Sequence, residues 1–212
     1  MRIDGMGELP TVLGMSYPAI EFWYRPTDAR AITVAPGFTA IARTERLLAT
    51  IEHCLAVGSV VVAALERRTL VGYATLVPST AAVEDRWRDV PDLWELGAIE
   101  VAEHARRQHV GTMLMGALER ALPLPSLVVF ARGIVDHWAY VRGGVTPTCY
   151  RGLLLALLGR AGFSLRPTDD PEVGEHPLNF LATRFGERTS PATLRSYLER
   201  EKTTPRTEIS LF

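Results

Sequence analysis

The sequence predicts a single α+β (α/β) domain built on a mixed sheet, and three features predict it. Two short runs rich in β-branched residues, 59–65 and 70–77, are joined by the charged turn 66–69, the pattern of an antiparallel hairpin. Apolar residues recur at helical spacing from Thr44 and again from Val110. Thr146-Pro147 and Ser190-Pro191 each offer a capping hydroxyl followed by proline in the first helical turn.

In chain order, residues 1–40 read as an irregular segment, because Pro10, Pro18, Pro26 and Pro36 prevent a long helix. Tyr17, Phe22, Trp23 and Tyr24 are expected to pack it onto the core. A helix follows from Thr44, with Leu47, Leu48, Ile51 and Leu55 on one face and Gly58 as its cap. After the hairpin comes a third strand over 93–101, then a helix whose apolar face is Val110, Met113, Leu114, Ala117, Leu118 and Leu122. Pro123 and Pro125 stop that helix ahead of a buried strand over 127–131. A leucine-rich helix from Pro147 ends at Gly162, and strands are expected over 163–165 and 178–185 with a loop over 169–176 between them. A last helix after Ser190 leads into a loose tail over 203–212. Nothing marks a second domain.

Composition narrows the function classes. The chain has 212 residues, 47% hydrophobic and 22% charged, enough for an ordinary packed core. A net charge of −1 argues against nucleic acid or an anionic membrane as partner. Two cysteines, Cys54 and Cys149, and no signal-peptide pattern suit a reducing cytoplasm. No apolar run approaches a membrane span. His53, His104, His109, His137 and His176 lack metal-ligand spacing, so no metal is expected.

The chemistry concentrates where the 93–101 strand enters a loop with Arg106 and Arg107 and the loop becomes a helix at Val110. The first turn of a helix leaves backbone N–H groups without partners at the positive end of the dipole, a site for phosphate. Gly111 allows close approach there, and the arginines can add charge-assisted contacts. Neither a G-x-x-x-x-G-K loop nor a G-x-G-x-x-G turn is present, so nucleotide hydrolysis and dinucleotide chemistry are not supported. The G-x-S-x-G elbow of serine hydrolases is absent as well.

The run Arg106-Arg107-Gln108-His109-Val110-Gly111 resembles the cofactor loop of the GNAT acetyltransferase superfamily, with Arg106 first, Gly111 last and His109 in place of the usual middle glycine. That substitution is compatible with the loop if φ at His109 stays negative. Gly162-Phe163 is similar to the helix-to-strand step of the same superfamily. Glu95-Leu96-Gly97-Ala98-Ile99-Glu100-Val101, His137-Trp138, Tyr150-Arg151 and the block from Asp169-Asp170-Pro171-Glu172 to His176-Pro177 resemble the acetoin-utilization acetyltransferases over about residues 45–186.

The resemblance implies a mostly antiparallel central sheet flanked by helices, with an acetyltransferase domain over 41–186 and an appended helix and tail over 187–212. It implies acetyl-CoA as cosubstrate, bordered by Ile99, Glu100 and Val101 and held at its pyrophosphate by Arg106, Arg107, Gln108, His109, Val110, Gly111 and Thr112. It further implies a protein substrate, a lysine of acetyl-CoA synthetase. A small-molecule amine acetyltransferase and a non-catalytic acetyl-CoA sensor stay open beside it. A homodimer is possible.

A lysine amine, with a solution pKa near 10.4, must lose a proton before it attacks a thioester, which is work for a carboxylate base. Glu95 and Glu100 are the candidates. Their odd separation puts them on opposite faces of a regular strand, but a bulge would change that parity. Glu95 matches the base of the resembled family by its spacing to Arg106. The tyrosine that family uses as general acid is replaced by Leu158, leaving Tyr150 or Tyr140 as substitutes. Asp169, Asp170 and His176 are expected on the substrate side, with helix capping as the competing role for the aspartates.

Overall fold

The computed structural model describes residues 17–38, 44–81, 86–138 and 145–201. Tyr140 and the 203–212 tail lie outside that set, as do residues 1–16. Eight strands form a single sheet: β1 (Ala19–Trp23), β2 (Thr33–Val34), β3 (Val60–Glu66), β4 (Thr69–Pro78), β5 (Leu93–Val101), β6 (Val128–Gly133), β7 (Ser164–Arg166) and β8 (Phe180–Phe185). The spatial order is β1-β3-β4-β5-β6-β8-β7, with the two-residue β2 beside β4. Pairing is antiparallel except for β2–β4 and β5–β6. The helices are α1 (Thr44–Ala56), α2 (Val110–Ala121), α3 (Pro147–Arg160), the single turn α4 (Pro171–Gly174) and α5 (Pro191–Glu201). The mixed, mostly antiparallel sheet expected from the sequence is present.

Three expectations about the elements need correction. Residues 19–23 are not irregular: β1 pairs with β3 from Ala19↔Leu65 to Trp23↔Val61 and extends the sheet at its edge. Pro18 and Pro26 bound the strand rather than interrupt it, and Trp23 anchors it at 1% exposure while Tyr17 and Tyr24 stay exposed. The 169–176 stretch is not all loop. Asp170 Oδ1 accepts from the backbone N–H of Glu172 and Val173, and with Pro171 in the first turn it starts α4. On α2, Met115 rather than Met113 belongs to the fully buried set.

The sheet separates two packed layers. Gly72 on β4 faces α2 so closely that a Cβ there would lie 3.0 Å from Val110 Cγ1 and 3.3 Å from Leu114 Cδ1. A side chain at this position would hold the start of α2 away from the sheet. On the opposite face, Tyr73 packs against Phe38, and α1 buries Leu47, Ile51 and Leu55. Further along that face, Trp87 stacks on Tyr197 of α5 and packs against Phe130, closing a second cluster with Leu93, Val128 and Leu181. Thr146 caps α3 through a bond from Cys149 N–H, as its sequence position suggests.

Candidate active site

The site begins where β5 and β6 part. Their parallel pairing runs through Leu93↔Val128, Trp94↔Val129 and Glu95↔Phe130 and then stops, although β5 continues to Val101 and β6 to Gly133. The β6-facing backbone of β5 beyond Glu95 is thereby left outside the sheet ladder, and such polar groups call for another partner. A cleft of about 110 Å³ fills the gap, bordered by β5 residues 96–100, β6 residues 131–133, and Trp138, Tyr150 and Leu157.

Pairing with β4 settles the parity question. Leu76 faces Leu96 and Thr75 faces Ala98, so Gly97 is an extra residue, a bulge in β5. Beyond the bulge the alternation is reset. Glu95 (opposite Val77) and Glu100 (opposite Tyr73) consequently share one face, the face away from α2.

Their surroundings differ. Glu100 is 4% exposed and accepts a hydrogen bond from Tyr73 Oη at 3.1 Å. Burial, with the Glu100 charge adding to it, raises the Tyr73 phenol far above its ordinary range. Glu95 sits at the mouth of the splay with its side chain 19% exposed. Burial first, then the Glu172 and Asp170 carboxylates, push its carboxyl up to about 7. Arg132 donates to Glu95 Oε1 from Nε at 3.1 Å and Nη2 at 3.0 Å, and to Glu172 Oε2 from Nη1 at 2.6 Å. Sequence reasoning placed Glu172 in the acidic block on the substrate side and did not single out Arg132. The available signal was that Arg132 is the one charge in the strand Val128-Val129-Phe130-Ala131-Arg132-Gly133.

On the α2 side, Val110, Gly111 and Thr112 form the first turn, and the first bond back to the cap is Met113 N–H to His109 C=O. No acidic residue lies in that turn and no side chain caps it, so the turn keeps the N–H groups and dipole of an anion site. His109 does not keep a negative φ: at φ 61° and ψ 11° it adopts the left-handed conformation that a glycine would take there. Histidine enters this region more readily than most residues, at a cost of roughly 1–2 kcal/mol. Arg107 also has a positive φ, 64°. Arg106 Nε donates to Val101 C=O at 3.1 Å, tying the loop to the strand end, and Gln108 donates to His104 C=O. Ile99 and Glu100 border the cleft, and Val101 lies beside Gly111.

Tyr150 lines the cleft with its ring 5.7 Å from that of Trp138. Leu158, at the position of the missing tyrosine, is buried at 4% exposure. Among the acidic-loop residues, Asp169 pairs with Arg86 at 2.8 Å, Asp170 caps α4, and exposed His176 accepts the Leu178 N–H through Nδ1. Glu172 is the member that reaches Arg132.

A splayed parallel strand pair beside an uncapped helix start is the framework of an acyl-CoA-dependent acetyltransferase, and residues 26–130 match the Acetyltransferase (GNAT) family. The chain belongs to that family. Within it, the chain is similar to the acetoin utilization protein AcuA of Bacillus subtilis (strain 168), at 30% identity over 140 residues. The match spans 65% of this chain and 65% of that relative's length. An acetoin utilization protein from Exiguobacterium sibiricum 255-15 shares the fold with a TM-score of 0.78 at 21% identity, covering 89% of this chain and 97% of the other. The structure of yncA from Salmonella typhimurium with its cofactor acetyl-CoA superposes at a TM-score of 0.53 and 17% identity, over 83% and 98% of the two chains.

Proposed function

We propose that this protein transfers the acetyl group of acetyl-CoA to a lysine side chain of a protein, with acetyl-CoA synthetase as the first substrate to test. The observation that carries the reading is the position of Glu95: a carboxyl pushed up to about 7, at the residue where β5 leaves β6. A base with that affinity takes a proton readily and is largely ionised just above neutrality. The acceptor class is what the resemblance to the acetoin-utilization acetyltransferases implies, a resemblance with which the similarity to AcuA agrees. The fit to acetyl-CoA rests on the splay and on the first turn of α2, where Val110, Gly111 and Thr112 would meet the pyrophosphate with Arg106, Arg107, Gln108 and His109 around it.

In this reading Glu95 accepts a proton from the lysine ammonium, directly or through water. The neutral amine attacks the thioester carbonyl and the C–N bond forms; the C–S bond then breaks with the electron pair leaving on sulfur, and the second nitrogen proton, lost as the amide forms, passes to solvent or to the thiolate. Backbone N–H groups of β5 near the Gly97 bulge offer donors to the oxyanion. Tyr150 stands in the cleft where it can return a proton to the thiolate, which is itself a tolerable leaving group with a thiol pKa near 8.5. The acceptor side is assigned to the turn carrying Asp169, Asp170 and His176, and the reaction to the cytoplasm.

The test is incubation with acetyl-CoA and acetyl-CoA synthetase, followed by peptide mass spectrometry. The reading expects one or a few acetylated lysines that depend on the protein. No acetylated peptide, together with rapid transfer to a free small amine, would move the acceptor class to small molecules. Thermal stabilisation by acetyl-CoA without thiol release to any acceptor would point to a sensor.

A further inference from the structure

We infer that Arg132 is the positioning residue of this site: it grips one oxygen of Glu95 and leaves the other to take the proton, while Glu172 holds the guanidinium in place. The inference rests on Glu95 being the base. Its geometry is specific. Both contacts from Arg132, Nε at 3.1 Å and Nη2 at 3.0 Å, fall on Oε1, and no hydrogen bond to Oε2 occurs among the described residues. A fork placed across both oxygens would occupy the whole carboxylate, as arginine commonly does. Here the third nitrogen turns away, and Nη1 meets Glu172 Oε2 at 2.6 Å.

The arrangement exceeds what the sheet requires. Arg132 stands opposite Leu181 in a strand whose neighbouring side chains are buried and apolar, and it places a cation between two carboxylates at 16% side-chain exposure. Glu172 sits on α4, whose start is fixed by the buried cap Asp170. The chain of contacts runs from the α4 turn through the guanidinium to the carboxylate at the splay, and it fixes the rotamer of Glu95 from outside β5. A carboxylate free to swing would lose reach, and misplacement by about 1 Å can cost on the order of 100-fold in rate.

Opposing charges surround Glu95. Arg132 on β6 favours the ionised form, while Glu172 on α4 and Asp170 at its cap oppose it. Asp169 beside them is neutralised by its pairing with Arg86. Removing one partner at a time should therefore move the apparent pKa of the base in opposite directions, a signature that a structural role alone would not give.

The experiment is the pH profile of kcat/KM for acetyl transfer by the wild-type chain and by R132Q, R132K, E172Q and E95Q, with acetyl-CoA affinity measured for each. R132Q is expected to lose about 100-fold in kcat and to shift the acidic limb upward, with acetyl-CoA affinity kept. R132K, which keeps the charge without the fork, should hold the limb near its wild-type position yet recover only part of kcat. E172Q should shift the limb downward. If R132Q does not fold, the E172Q shift decides alone, since Glu172 is 39% exposed at its side chain and tolerates exchange. An E95Q protein without activity, beside R132Q and E172Q limbs that stay in place, would overturn the role of Arg132 and leave the base intact. An E95Q protein with full activity would instead overturn the base itself.

Discussion

Arg132 and Glu95 meet across the gap between β6 and β5 at a single carboxylate oxygen, Oε1, with nitrogens at 3.0 and 3.1 Å. The contact joins Glu95, in the last paired step of the two strands, to Arg132 on the same face just beyond it. It marks the point where the sheet opens into a cleft.

The raised affinity of Glu95 for a proton has consequences for both rate and stability. The carboxyl moves from 4.5 to about 7 on folding, so the folded state favours its protonated form. Its contribution to stability is fully present below about pH 4.5 and is lost as pH rises through 7, a change of up to about 3 kcal/mol. Urea denaturation of wild type and E95Q between pH 5 and 8.5 should show wild type losing stability relative to the variant with rising pH. Activity should run the other way, rising as Glu95 ionises.

His109→Gly is expected to preserve the fold, because the left-handed backbone at φ 61° suits glycine. Relief of about 1–2 kcal/mol of strain is partly offset by the chain entropy of glycine, so the net gain should be below about 1 kcal/mol. His109→Val should instead lose about 1–2 kcal/mol and weaken acetyl-CoA binding. Thermal denaturation and a cofactor titration check both.

Gly72→Ala places a Cβ 3.0 Å from Val110 Cγ1 in a packed layer. The expected loss is about 1–3 kcal/mol of stability. Because the clash falls on the first residue of α2, acetyl-CoA affinity should fall as well, measurable by calorimetry on the folded variant.

Much of this organisation is legible in the sequence because it is local. The periodicities of β5 and α2 and the caps at Thr146 and Ser190 depend on residues a few positions apart. The bulge at Gly97 is a property of pairing with β4, so a single strand pattern leaves open which face Glu100 takes. β1 escapes notice because its prolines read as breakers until its partner β3 is known. The Arg132–Glu95 contact spans 37 positions and arises only where two strands diverge. The positive φ of His109 is likewise set by the turn the loop must make, which a histidine does not announce.

Tyr150→Phe is expected to lower kcat by less than about 10-fold, since a thiol of pKa near 8.5 departs without full protonation. The measurement is thiol release across pH 6.5–9, where the deficit should shrink as pH rises. A constant deficit would assign Tyr150 to packing against Trp138.

The most direct measurement is single-turnover acetyl transfer by Glu95→Gln at pH 7.5, with acetyl-CoA binding determined on the same preparation. Loss of a positioned general base should lower the rate by about 100- to 10,000-fold while acetyl-CoA binding is retained. A Glu95→Gln protein that folds, binds acetyl-CoA and transfers at the wild-type rate would contradict the account.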